Sequence, residues 1–291
     1  FYDLPSPKNL KDRRVNVSTK IYDRNGVLLY KIYKDQNRTP IVLSQIPLTV
    51  KQATLAAEDA DFYSHSGFSI KAIVRALWIY IKTGEITGAS TITQQLVKNA
   101  LLTPEKTIQR KIRELVLSVE TEFTYSKDEI FEMYLNEVSY GNSAYGIEEA
   151  SKIYFDKEAK DLNLQEGALL AGLPKSPTEL SPFGDSTKPA MGRQKQILDL
   201  MLEHNFITKE EAEKAKSENI KLAANKIEIL APHFVMYIKS LLTQKYGEEM
   251  VEKGGLEVTT SLDIQIQKIA EEEVKSEIKK IKNLNVGNAA A

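Results

Sequence analysis

Helix punctuation constrains this chain more than any other feature of its sequence. From about Leu48 to residue 224, helix start signals recur at spacings that single helices can fill. Ser126 with Glu129 and Asn163 with Glu166 read as capping boxes, in which side chain and backbone satisfy each other's hydrogen bonds. Ser69 caps a segment carrying Ile73, Leu77 and Ile81. Thr103-Pro104 opens another, because proline is tolerated at the first helical position. Along it Ile108, Ile112, Leu115 and Val119 stand at i, i+4, i+7 and i+11, one face of a 3.6-residue period. Lys188 to His204 and Lys209 to Ser217 complete the set. The fold class is therefore mainly α, one helical domain over residues 1–224.

Two stretches depart from this pattern. Val15, Val17, Thr19 and Ile21 alternate with polar residues, and Asn25-Gly26 precedes Val27-Leu28-Leu29-Tyr30. Asn-Gly between apolar runs predicts a β-hairpin over about 15–33, with positive φ at both turn positions. Toward the other end, Ala231-Pro232 opens a helix that Gly247 stops, and Gly254-Gly255 breaks the chain again. Leu256 to Ser261 has strand composition, and a charged amphipathic helix follows from Asp263 to about Lys282. Residues 225–291 thus read as a small α/β connector. The chain opens on Phe1 and closes on small residues, which suggests a fragment of a longer protein. No stretch reaches the roughly 20 consecutive apolar residues of a membrane span.

Composition narrows the chemistry. There is no cysteine, which removes disulfide scaffolds, thiolate metal sites and cysteine nucleophiles. A net charge of −1 speaks against a general polyanion coat. Four clusters remain. Glu58-Asp59-Ala60-Asp61 leads into His65 and Gly67. It is either a solvated acidic loop or a general base whose neighbours raise its pKa toward working pH. Gly88 to Asn99, with Ser90, Thr91, Gln94, Gln95 and Lys98, is either a helix start capped by Ser90 or a polar wall facing a sugar or anion. Lys106, Arg110, Lys111, Arg113 and Glu114 form either an exposed salt-bridged face, with Arg110 and Glu114 at i, i+4, or a phosphate clamp. No aromatic residues interleave these charges, so nucleic acid is not the expected partner. Ala72 to Lys82 carries Trp78, Ile79, Tyr80 and Ile81 in a row; they are either core or, where exposed, suited to a bilayer interface.

In this order the clusters resemble the glycosyltransferase domain of class A penicillin-binding proteins, the bifunctional peptidoglycan synthases (glycosyltransferase family 51). E-D-x-x-F-x-x-H-x-G matches Glu58 to Gly67, and G-x-S-T-I-T-Q-Q-x-x-K-N matches Gly88 to Asn99. R-K-x-x-E matches Arg110, Lys111 and Glu114. K-x-x-I-x-x-x-Y-L-N matches Lys127, Ile130, Tyr134, Leu135 and Asn136. The fifth, R-R-x-x-V-L, is degraded to Arg193, Gln194, Ile197 and Leu198, and reads as mostly structural. The serine motifs of the penicillin-reactive half have only scattered, reverse-ordered look-alikes at Ser276, Ser217 and Lys82, which read as chance.

The resemblance implies a lysozyme-like helical fold at the extracytoplasmic face of the cytoplasmic membrane, with an anchor upstream and a transpeptidase domain downstream. It implies polymerisation of lipid II, with the growing lipid-linked glycan as donor. Carried over residue by residue, Glu58 is the base for the acceptor's 4-hydroxyl and Glu114 the carboxylate at the pyrophosphate leaving group. Lys98, Lys106, Arg110 and Lys111 fall at the pyrophosphate, and Asp59, Ser90, Thr91, Gln94, Gln95 and Asn136 among the binding residues. No tightly bound cofactor is implied; a divalent Mg or Mn ion near Glu114 is left open. A lytic or lysozyme-type glycan hydrolase on the same fold is the competing reading.

Overall fold

The computed structural model describes residues 4–12, 17–32, 37–83, 90–102, 107–184, 186–223 and 229–280. The chain forms two compact units, one from Phe1–Arg14 with Arg38–Asn225 and one from Val15–Asn37 with Lys226–Ala291.

The first unit is mainly α, as the punctuation predicts. Its helices are α1 (Asn9–Asp12), α2 (Leu48–Glu58), α3 (Ile70–Thr83), α4 (Ile92–Leu101), α5 (Ile108–Thr124), α6 (Lys127–Glu137), α7 (Ile147–Phe155), α8 (Leu164–Gly172), α9 (Lys188–Glu203) and α10 (Lys209–Ser217). A short antiparallel pair, Ser139–Gly141 with Ala144–Tyr145, joins α6 to α7. The capping boxes at Ser126 and Asn163 form as read, each with its Glu at the third helical position.

Helix α8, LQEGALLAG, is apolar almost all round, and a helix of that kind belongs inside a domain. It packs against α2 and α9. Gly167 makes the first contact close, since a methyl there would lie 2.9 Å from Val50 Cγ2. Ala53, Ala168, Ile197, Leu198 and Met201 fill the layer between these helices. A second layer is aromatic, built on Phe62, Phe131, Tyr134, Tyr140 and Tyr154. Each such side chain taken from water stabilises the unit by roughly 1.5–3 kcal/mol as an upper range.

Three local expectations are corrected. Thr91, not Ser90, is the N-cap of α4, with Gln94 closing its capping box. Helix α5 is capped by Thr107, while Thr103-Pro104 lies outside the described residues. Its polarity is reversed as well. Ile108 is 82% exposed and Ile112 47%, while Glu114, Leu117, Ser118 and Thr121 are buried. Helix α3 also turns apolar side chains outward: Ile70, Val74, Trp78 and Ile81 are all more than half exposed.

The second unit joins the two departures from the helical pattern. Strands Thr19–Tyr22 and Leu28–Ile32 form the hairpin, and Glu257–Thr259 adds in parallel to the first of them. Sequence order assigns the hairpin to the domain ending at 224, whereas its ladder runs to the C-terminal segment. Only Gly26 of the turn takes positive φ; Asn25 does not. The Asp23 carboxylate accepts from the N–H of Asn25 and of Val27 and sets the turn instead. Helices α11 (Pro232–Tyr246), α12 (Glu248–Lys253) and α13 (Ile264–Lys280) complete the unit. Its own core gathers Ile21, Leu29, Ile32, Val235, Val251 and Ile264.

Candidate active site

Glu58 is the last residue of α2, and Asp59 is its C-cap. The Gln95 side-chain N–H of α4 donates to Glu58 Oε2 at 2.6 Å. Burial holds the Glu58 carboxyl above the ordinary carboxylate range, outweighing the Gln95 hydrogen bond and the nearby charges of Arg193 and Lys98; Asp59 adds to the rise. A carboxyl with its pKa raised in this way is a stronger proton acceptor than an ordinary carboxylate.

Asp59 does different work. His65 Nε2 lies 3.0 Å from both its carboxylate oxygens, and Oδ2 also accepts from the Ile92 N–H at 3.1 Å. The carboxylate therefore sits at the start of α4, where the helix dipole favours negative charge. Thr91 donates to the Gly67 carbonyl. Gly67 has φ +88°, and a Cβ there would lie 2.9 Å from the Ser118 carbonyl oxygen of α5. Only glycine tolerates that φ and that approach together. Much of the first two motifs is thus a brace tying the end of α2 to α4 and α5.

The cations lie on α4 and α5. Lys98, in the last turn of α4, is partly exposed. Lys111 Nζ donates to Ser90 Oγ at 2.8 Å and ion-pairs with Glu114, which is 1% exposed. Glu114 therefore pairs with the lysine at i−3 rather than with Arg110 at i−4. Arg110 Nε is buried with no hydrogen-bond partner among the described residues. Lys106, Gly88 and Ala89 lie outside the described residues. Helix α4 links the two halves, since it packs against α5 and reaches Glu58 through Gln95. Glu114 already holds an ammonium. Among the described residues, no three His, Asp or Glu side chains group to hold a metal. No step below passes through a divalent ion.

Several carried-over residues engage their side chains within the protein. Thr91 and Gln94 spend their side chains on the α4 cap. Asn136 donates to the carbonyls of Ile41 and Glu132 and accepts from the Ile41 N–H, so its amide is fully engaged within the protein. Lys127 pairs with Glu122 and stands over the Phe62 ring. Arg193 was outside the expected site, yet its charge acts on Glu58. Its place at the head of the fifth motif was the one available signal.

Residues 25–202 match the family model described as Transglycosylase. Penicillin-binding protein 1A of Aquifex aeolicus is 38% identical over 282 residues, which cover 97% of this chain and 38% of that one. Penicillin-binding protein 1A of Escherichia coli is 35% identical over 278 residues, 94% of this chain and 32% of that one. The chain thus spans about a third of the length of these relatives. The crystal structure of penicillin-binding protein 1A from Haemophilus influenzae shares the fold, with a TM-score of 0.52 at 24% identity over 91% of this chain and 30% of that one. With more than half of its length matching the family model, this chain belongs to the transglycosylase family.

Proposed function

We propose that this chain is a peptidoglycan glycosyltransferase that polymerises lipid II into β-1,4-linked glycan with inversion, releasing polyprenyl diphosphate. The observation that carries the reading is Glu58: a partly buried carboxyl of raised pKa, hydrogen-bonded by Gln95 of α4, the helix that also carries Lys98 and packs against α5 with its Arg110 and Lys111. Glu58 takes the proton of the acceptor 4-hydroxyl as that oxygen attacks the donor's anomeric carbon. The C–O bond to the diphosphate breaks and its electron pair leaves with the phosphate oxygen. Preorganised cations stabilise that developing charge, so no protein nucleophile is required. The donor linkage is α and the product β, which suits one base on the face opposite the leaving group.

The outward apolar faces of α3 and α5 suit the rest of the substrate. No described helix is long and apolar enough to cross a membrane. Exposed Ile70, Val74, Trp78 and Ile81 would instead lie in the bilayer interface at the extracytoplasmic face, where polyprenyl-linked donor and acceptor reside.

A gel of labelled lipid II tests the reading. Wild-type protein should build long glycan, and Glu58→Gln should cut the rate by about 10²–10⁴-fold without loss of folding. An active Glu58→Gln protein would remove the base assignment. The raised pKa of Glu58 would also suit the general acid of a glycan hydrolase, so soluble fragments released from cell wall would decide for that reaction instead.

A further inference from the structure

The turn that follows α2, the end of α5 and the start of α6 border a cavity of about 230 Å³. Neither Glu58 nor Gln95, Lys98, Arg110 or Lys111 lines it. Its charged walls are already paired. Lys127 Nζ holds both carboxylate oxygens of Glu122 at 2.8 Å, and that carboxylate also accepts from the Thr93 hydroxyl. The same ammonium stands 4.2 Å over the Phe62 ring. His65 Nε2 is engaged by Asp59. An ammonium and a carboxylate that satisfy each other select neither an anion nor a cation.

What the walls leave unused is hydrogen-bonding capacity without net charge. Ser66 is exposed, and its hydroxyl bonds to no group among the described residues. Ser64 Oγ donates to the Asp61 carbonyl and keeps its lone pairs. His65 Nδ1 has no hydrogen-bond partner among the described residues. Two aromatic rings complete the lining, Tyr63 at 54% exposure and Phe123 at 86%. Tyr63 is held in place, since its phenol donates to Asp128 at 2.8 Å and its ring meets Phe62 edge-on at 5.2 Å. Exposed apolar residues scattered singly are ordinary, but a pair on one small polar cavity sets π-faces beside donors and acceptors.

We propose that this cavity is a glycan-binding site, separate from the Glu58 site, that takes one uncharged sugar ring. A pyranose has hydroxyls that both donate and accept, no charge to balance, and a C–H face that packs on an aromatic ring. The volume is below the roughly 300–1,000 Å³ of sites for larger ligands, which suits a single ring with its neighbours left in solvent. The chemistry of the cavity stands without the glycosyltransferase reading; only the choice of a β-1,4-linked glycan as its ligand rests on it.

Chitotriose, an uncharged β-1,4-linked trimer of N-acetylglucosamine, is the probe. Titrated into wild-type protein, it should shift the backbone amide signals of Tyr63 to Ser66 and of Glu122 and Phe123, with a dissociation constant on the order of 1 mM. Phe123→Ala should weaken binding by about five- to tenfold at an unchanged thermal midpoint, because the ring is exposed, and Phe123→Trp should restore it. Inorganic phosphate and magnesium ions should leave the same amides unmoved. Shifts confined to Gln95, Lys98 and their neighbours would place the sugar at the Glu58 site and overturn the proposal. So would the absence of any shift, an affinity unchanged in Phe123→Ala, or a response to phosphate or magnesium in place of the sugar. The two readings fail separately. Protein that builds glycan from lipid II but ignores chitotriose loses this site alone, whereas protein inert toward lipid II that binds chitotriose here keeps the site and loses the glycosyltransferase reading.

Discussion

Asn136 shows how a residue in a recognised pattern can spend its side chain on the protein itself. Its motif placed it with the binding residues, yet all three of its described hydrogen bonds end on protein groups. Two of them tie Ile41 to α6, and the third caps its own helix turn through Glu132. Removing a partly buried amide that satisfies backbone groups costs about 1–3 kcal/mol. Asn136→Ala should therefore lower the thermal midpoint while leaving KM for lipid II unchanged in the folded fraction. A raised KM with an unchanged midpoint would return Asn136 to the substrate. The same distinction separates Gln95, which touches Glu58, from Gln94, which caps a helix, though the two are adjacent and chemically identical. Residue type and spacing mark both as conspicuous; only the phase of the helix decides which one faces the carboxylate.

At the scale of elements, helices were legible because their signals are local. Capping boxes at Ser126 and Asn163 need only four residues each, and both form. The face that a helix buries is not local. Helix α5 has the amphipathic period expected of it, but its polar side lies inward, where Glu114 pairs with Lys111 and the Ser118 carbonyl meets Gly67. Periodicity gives the stripe and not its direction. An outward stripe on α5 and another on α3 expose apolar surface that a membrane-facing protein can use. Trp78, the sole tryptophan of the chain, stands in the α3 stripe at 59% exposure with Lys82 over its ring. Adding phospholipid vesicles should shift its emission to the blue, and Ile70→Ser with Ile81→Ser should reduce co-sedimentation with vesicles while leaving the thermal midpoint unchanged. Emission that stays at its aqueous wavelength, with no co-sedimentation, would exclude α3 from the bilayer.

At the scale of the whole molecule, what the sequence could not reveal is pairing over long separations. Lys20 pairs with Glu257 and Ile21 with Val258, residues that no period or composition links. Asp23 is the residue on which this joint turns. Its carboxylate accepts from the N–H groups of Asn25 and Val27 at 2.8 Å in the hairpin, and from the Ile264 N–H at 3.2 Å at the start of α13. Burial pushes the acid up, but the donors of Val27, Ile264 and Asn25 outweigh it and hold the carboxyl below its ordinary 3.8. A depressed pKa of this kind contributes stability that is present above the unfolded value and is lost as pH falls through the folded one. Amides of Val27 and Ile264 should therefore lose hydrogen-exchange protection together as wild-type protein is acidified below about pH 4. In Asp23→Ala both should be poorly protected already at neutral pH, and their protection should no longer respond to acid in that range. Amides that stay protected in Asp23→Ala would show that the parallel ladder to Glu257–Thr259 holds the two segments without help from this carboxylate.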